Sequence, residues 1–173
     1  MKIGTCFKPG RLPGLLLAVS IVSSGAAAAA DAPAASPLAG TWTLVAADVE
    51  HPDGTRGRDY GSDPRGLLLI DAHGNYSLQI FKAERERFAS NDKAAGTAAE
   101  YRDALLGAST HYGTITVNPV EHTLTFSIRD AVFPNWQGQQ QTRTYELIGK
   151  ELSYRVTPRP NGDVPISVWK RLD

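Results

Sequence analysis

The strongest constraint in this chain is a period of two. Apolar and polar residues alternate in run after run, each five to ten residues long, with turn-forming residues between. Tyr76, Leu78 and Ile80 alternate with Ser77 and Gln79. Leu124, Phe126 and Ile128 alternate with Thr123, Thr125 and Ser127. Leu152, Tyr154 and Val156 repeat the pattern. Successive side chains on a strand point to opposite faces, so such runs make strands with one buried face. Eight strands are expected, at residues 40–49, 66–70, 76–81, 111–117, 122–130, 141–148, 151–157 and 164–171, the second of them a continuous apolar run. In the first, Trp42, Leu44 and Ala46 share a face. In the last, the inward set is open between Val164/Ile166/Val168 and Trp169.

One segment breaks the period. Thr97 and Glu100 have capping-box spacing, Tyr101, Ala104 and Leu105 form an apolar stripe, and Gly107 can end a helix. A helix of about ten residues is expected between the third and fourth strands. Eight sequential strands read as an up-and-down antiparallel barrel or a sandwich. If neighbours alternate in direction, the short connections 71–75, 118–121 and 149–150 share one end. The long connections 50–65, 82–110, 131–140 and 158–163 share the other. A closed bottom and an elaborated top describe a cup, and 82–110 is the candidate lid.

The first thirty residues follow another rule. Lys2, Lys8 and Arg11 precede an apolar run at 15–22, then Ser23, Ser24 and Gly25, then alanines at 26–30. That is the pattern of a secretory signal peptide, with the run too short to span a bilayer. Cleavage near Ala30 leaves about 143 residues, with 15 basic against 18 acidic groups. Residues 31–37 read as a flexible leader and 38–173 as the barrel domain, placed in the periplasm or outside the cell. Cys6 leaves with the signal, so no disulfide framework and no cysteine-rich zinc module is possible. The charge balance offers no nucleic-acid surface, and no integral membrane span is expected after cleavage.

Parity also selects candidate site residues. Tyr145 and Leu147 put Gln141 and Arg143 on the inner face. Ile115 and Val117 put His111 inside, and Phe126 and Ile128 put Asp130 inside near the open end. His122 falls at the closed end, which separates it from His111 and argues against a metal site. An inward arginine requires a partner. That partner is either a ligand's carboxylate, phosphate or carbonyl, or an internal group such as Asp130. His111 and Asp130 are the candidate proton-transfer groups. Asn135 and Trp136 lie in a mouth loop and Tyr101 on the helix. Tyr145 and Phe126 line the interior if it is hollow. Trp42, Tyr76 and Tyr154 are core by default. The charged run 82–87 reads as solvated, with Arg85 or Arg87 able to reach over the mouth. There is no H-E-x-x-H, no G-x-S-x-G and no glycine-rich phosphate loop, and no cofactor is expected.

Several stretches resemble the bacterial and fungal lipocalin-like domain family, compact barrels distinct from the animal lipocalins. They are Leu38-Ala39-Gly40-Thr41-Trp42, Asp53-Gly54, Gly61-Ser62-Asp63-Pro64-Arg65-Gly66, Arg87-Phe88-Ala89-Ser90 and Gly96-Thr97-Ala98-Ala99-Glu100-Tyr101. Tyr112-Gly113, Phe133-Pro134-Asn135-Trp136 with Gly138, Gln141 and Arg143, and Trp169-Lys170-Arg171 complete the set. The resemblance runs from Leu38 to Arg171. It implies an eight-stranded barrel and no single reaction; an aromatic would be expected where His111 stands. Barrels of related shape bind lipophilic molecules or shape cyclising reactions.

Three functions follow. The favoured one is an exported barrel that binds a small hydrophobic or amphipathic molecule, its polar head near Arg143. The alternatives are an isomerase, cyclase or hydrolase acting on a lipophile in the same cavity, and a solid-cored barrel that works through its surface. A void below about 100 Å3, smaller than ordinary ligand pockets, would favour the last.

Overall fold

A computed structural model describes residues 35–172, together with Met1, Gly4 and Gly10. The expected signal peptide and most of the leader lie outside the described residues. The chain divides into two units, Met1–Ala32 and Pro33–Asp173, and every element below belongs to the second. Among the described residues no helix is long and apolar enough to cross a membrane.

Nine strands form one antiparallel sheet: β1 (Gly40–Glu50), β2 (Arg56–Gly57), β3 (Arg65–Ile70), β4 (Asn75–Phe81), β5 (Ala108–Asn118), β6 (Thr123–Ala131), β7 (Gln140–Ile148), β8 (Glu151–Arg155) and β9 (Val164–Arg171). Each strand from β3 onward pairs with the next in sequence. β1 pairs with β3 on one side and with β9 on the other, which closes an eight-stranded up-and-down barrel. Closure leaves the barrel wall without a free edge. The two-residue β2 is an addition to the expected eight. It lies in the long 50–65 connection and pairs with the last two residues of β1.

The short turns do gather at one end. Asp71 builds the β3–β4 turn by accepting from the backbone N–H groups of His73 and Asn75, each at 2.8 Å. Asn118 caps the β5–β6 turn in the same way. His122 belongs to this turn, at φ 52°, and is exposed; it was expected inside the strand.

The core is densest toward this floor. Trp42, Trp169, Leu68, Leu124 and Leu152 are all fully buried there. Trp169 and not Val168 faces inward, which resolves the open parity of the last strand. Arg171 lies over the Trp42 ring, with 4.2 Å between Cζ and the ring centre, and donates to the carbonyls of Ala39 and Pro37. This fastens the start of the barrel to its end.

Two bulges reset the alternation. One falls between Leu44 and Ala46, so Ala47 and Val49 continue the buried face, not Ala46. The other inserts Arg129 into β6: Tyr112 pairs with Asp130 and Gly113 with Ile128. Only glycine fits at 113, because a Cβ there would stand 2.0 Å from the Ser127 carbonyl oxygen. An extra residue on one strand turns every later side chain to the opposite face.

The predicted helix forms as α1 (Ala98–Leu106), with the reciprocal Thr97–Glu100 capping box in place. None of its residues is buried.

Candidate functional site

Above the floor the barrel is hollow. A cavity of about 580 Å3 opens toward the long connections. Its wall includes Leu78 and Ile80 of β4, Ser109 and His111 of β5, Gln141 and Arg143 of β7, Tyr154 of β8 and Ser167 of β9. Trp136, Asp59, Tyr60 and Arg159 stand at its rim. The volume lies within the range of small-molecule pockets. The expectation of a solid core therefore fails on size.

Arg143 is the electrostatic centre. It is only 6% exposed. Phe126, directly opposite Gln141 on β6, lies under the guanidinium with Cζ 4.2 Å from the ring centre. The Tyr154 ring is 4.9 Å away. These rings offer cation–π attraction. Hydrogen bonding is far less complete. Nη2 donates to Oε1 of Gln141 at 2.8 Å, while Nε has no partner and neither does the nearby buried Tyr154 hydroxyl. Burial pulls the Arg143 pKa below its ordinary value, and the phenols of Tyr154 and Tyr76 oppose that shift. No carboxylate contributes to holding this charge.

His111 is also buried, at 4% exposure. Its Nδ1 and the Tyr76 hydroxyl share a hydrogen bond of 2.7 Å. Burial, and then the Arg143 charge, lower the His111 pKa to about 3. It is therefore a neutral imidazole at any ordinary pH, and a weak base. Burial pushes the Tyr76 phenol up. The His111 ring packs edge-on against Phe126 and Trp136, at centre distances of 5.6 and 6.0 Å. Trp136 closes a 3-10 turn at Pro134–Trp136 and packs in turn on Phe133.

The structure thus brings Arg143, Gln141, His111 and Trp136 to one cavity, with Phe126 as the support beneath the guanidinium. Four other sequence candidates go elsewhere. Asp130 is exposed on the outside of the barrel, bonded to the backbone N–H of Ala131. The Arg129 bulge flips it outward and turns Ala131 toward the core. Asp130 therefore cannot be the partner of Arg143. Tyr101 serves its own loop: its hydroxyl donates to the Lys93 carbonyl and accepts from the Gly96 N–H, and its ring packs on Phe88. Asn135 is exposed. Tyr145 packs toward the floor beside His122, at a ring distance of 6.1 Å, away from the cavity.

The 82–107 insertion does not line the cavity. Leu105 and Leu106 of α1 instead border an outer groove of about 480 Å3 with Lys82, Phe133 and Trp136, and this groove shares Asp59, Tyr60 and Arg159 with the cavity rim. Arg85 lies over the Phe81 ring, not over the mouth. The rim itself is braced by the Arg159–Asp59 ion pair and by the bond from His51 to Asp163.

Sequence reasoning missed Tyr76 and Tyr154 as site residues. Both have inward parity, but an inward aromatic is core by default. The sequence carried no signal that set these two phenols apart, because parity placed Asp130 inside as an available partner for Arg143. The rim pair Asp59–Arg159 joins two loops 100 residues apart, and no local pattern announces it.

No curated protein and no solved structure matches this chain. A family model does match it, over residues 39–172. With the closed barrel and its cavity in view, the chain belongs to the lipocalin-like domain family.

Proposed function

We propose that this protein is an exported carrier that holds one small amphipathic molecule, with the molecule's polar head at Arg143 and its apolar body along Leu78, Ile80 and Val156. One observation carries the reading. A guanidinium sits deep in a cavity of about 580 Å3 with one neutral hydrogen-bond partner and an unpaired Nε. Burying a charge without compensation costs several kcal/mol, and a fold retains such a cost where something else supplies the compensation. The apolar wall and polar base suit an amphiphile. Holding is preferred over turnover because neither group expected to transfer protons is placed for it: Asp130 is outside, and His111 is a weak base with its Nδ1 occupied, while the carboxylates on the cavity wall, Asp48 and Asp59, face Arg58 and Arg159.

Export rests on the basic, apolar and alanine-rich order of residues 2–30. Intact-mass measurement of protein recovered outside the cytoplasm should show a mature chain beginning near Asp31. Native mass spectrometry of the same sample should show a bound small molecule that organic extraction removes. Arg143→Met should abolish its retention. Retention by the methionine variant at the wild-type level would refute the head-group assignment.

A further inference from the structure

We propose that the head group is a monocarboxylate, shared between Arg143 and His111, and that the Gln141 amide occupies the carboxylate's place on Arg143 in the empty barrel. This inference rests on the reading of Arg143 as the ligand anchor.

Three observations lead to it. First, the charge beside the guanidinium is a single positive one, since the carboxylates elsewhere on the cavity wall, Asp48 and Asp59, lie against Arg58 and Arg159. Arg143 is buried, and the other polar groups around it are the Gln141 amide and the phenols of Tyr154 and Tyr76, all neutral. His111 adds no second cation, since its surroundings keep it neutral. One buried cation is matched by one negative charge. A phosphate dianion would leave surplus charge in a low-dielectric site, and an alcohol or ester would leave the guanidinium uncompensated.

Second, the guanidinium has free donors. Its Cζ lies over the Phe126 and Tyr154 rings, whose faces offer no hydrogen-bonding acceptor of carboxylate kind, so a ligand engages it through the N–H groups. Nε and Nη2 form one side of the guanidinium fork, the geometry that suits the two oxygens of a carboxylate. Gln141 Oε1 sits on Nη2 alone and leaves Nε empty. A single amide oxygen does half of what a carboxylate does there. Gln141 stands two residues before Arg143 on the same face of β7 and is only half-buried, so its side chain has room to withdraw.

Third, a second donor is available. His111 Nδ1 is engaged by Tyr76, and Nε2 has no partner among the described residues. When the phenol donates to Nδ1, the ring proton lies on Nε2. A carboxylate in the cavity selects that arrangement.

The test compares purified wild-type protein with Gln141→Glu and Gln141→Ala, using decanoate, methyl decanoate, decan-1-ol and decyl phosphate as probes. Wild type should bind decanoate at least about tenfold more tightly than the ester, the alcohol or the phosphate, as a charge-assisted pair requires. Gln141→Glu supplies a tethered carboxylate to Arg143. It should raise the melting temperature of the empty protein and erase the preference for decanoate while the alcohol still binds. Gln141→Ala frees Nη2 and should bind decanoate more tightly than wild type does; weaker binding would make Gln141 a ligand contact and overturn its place-holding role. Equal binding of all four probes, tighter binding of the phosphate, or a glutamate variant that still prefers decanoate would overturn the monocarboxylate. If none of the probes binds, the carrier reading itself fails, and this inference with it.

Discussion

The floor and the hollow of this barrel are built on the same eight strands, yet they solve opposite problems. At the floor, Trp42, Trp169, Leu124 and Leu152 fill the interior and leave one neutral N–H, Trp169 Nε1, without a partner. Higher up, the same wall surrounds open space, a buried guanidinium and an unpaired phenol. Both bulges lie above the floor, but they redirect side chains and do not by themselves open space, so hydrogen-bond ladders do not explain the difference. Side-chain volume does. Two tryptophans are enough to fill one end of an eight-stranded barrel, and where they stop a pocket begins. The lower half stabilises the fold and the upper half carries a cost that a ligand can offset.

Mutations should separate the two. The largest effect is expected at the floor: Trp169→Ala should lose about 3–5 kcal/mol of stability, read from urea unfolding, because a full indole leaves a cavity. A loss below about 1 kcal/mol would show the floor to be no denser than the hollow. The next effect has the opposite sign. Arg143→Met should stabilise the empty protein by about 1–3 kcal/mol, since an apolar side chain of similar length replaces an uncompensated buried charge. Clear destabilisation would mean that Gln141 and the rings satisfy the guanidinium already.

A smaller, pH-dependent effect concerns His111. The unfolded chain takes up a proton near pH 6.5, and the folded one does so only near pH 3. The unfolded state therefore binds more protons in between, and stability present above pH 6.5 is lost as pH falls. His111→Phe should remove about 1–2 kcal/mol of that loss between pH 6.5 and 5, measured as the difference between the two proteins. Parallel curves would place the imidazole in contact with water. The smallest effect is at the rim. Trp136→Ala should cost under about 1 kcal/mol, because the indole is only partly buried, while ligand release measured by stopped-flow becomes faster. An unchanged release rate would remove Trp136 from the exit path.

The strands, the tight floor and the long-looped mouth were legible in the sequence because they rest on two local signals, alternation and turn residues. The same signals brought Arg143, Gln141 and His111 to the inner face. Legibility ended at the bulges. Counting by twos carries Asp130 inward, and a single extra residue at Arg129 sends it out. The cue was Gly113, whose need becomes visible only once Ser127 lies against it. Tyr101 was misplaced for another reason: a connection of 26 residues has enough chain to satisfy an aromatic by itself, here through Lys93, Gly96 and Phe88. The Tyr76–His111 bond spans 35 residues and depends on strand register, which alternation alone does not specify.

The seam between β1 and β9 has a consequence for how the molecule is made. Apart from the wrap of β1 onto β3, the other barrel pairs form between neighbours along the chain, whereas the seam joins Trp42 to Arg171, 129 positions later. Loop-closure entropy weighs on that one step, and topologies that depend on distant pairings fold slowly. Until the last strand emerges and docks, the ribbon has two open edges and its tryptophans lack their opposite wall. A circularly permuted chain, cut at Gly149 and joined across the old termini, would convert this closure into a local hairpin and move the late step to β7 and β8.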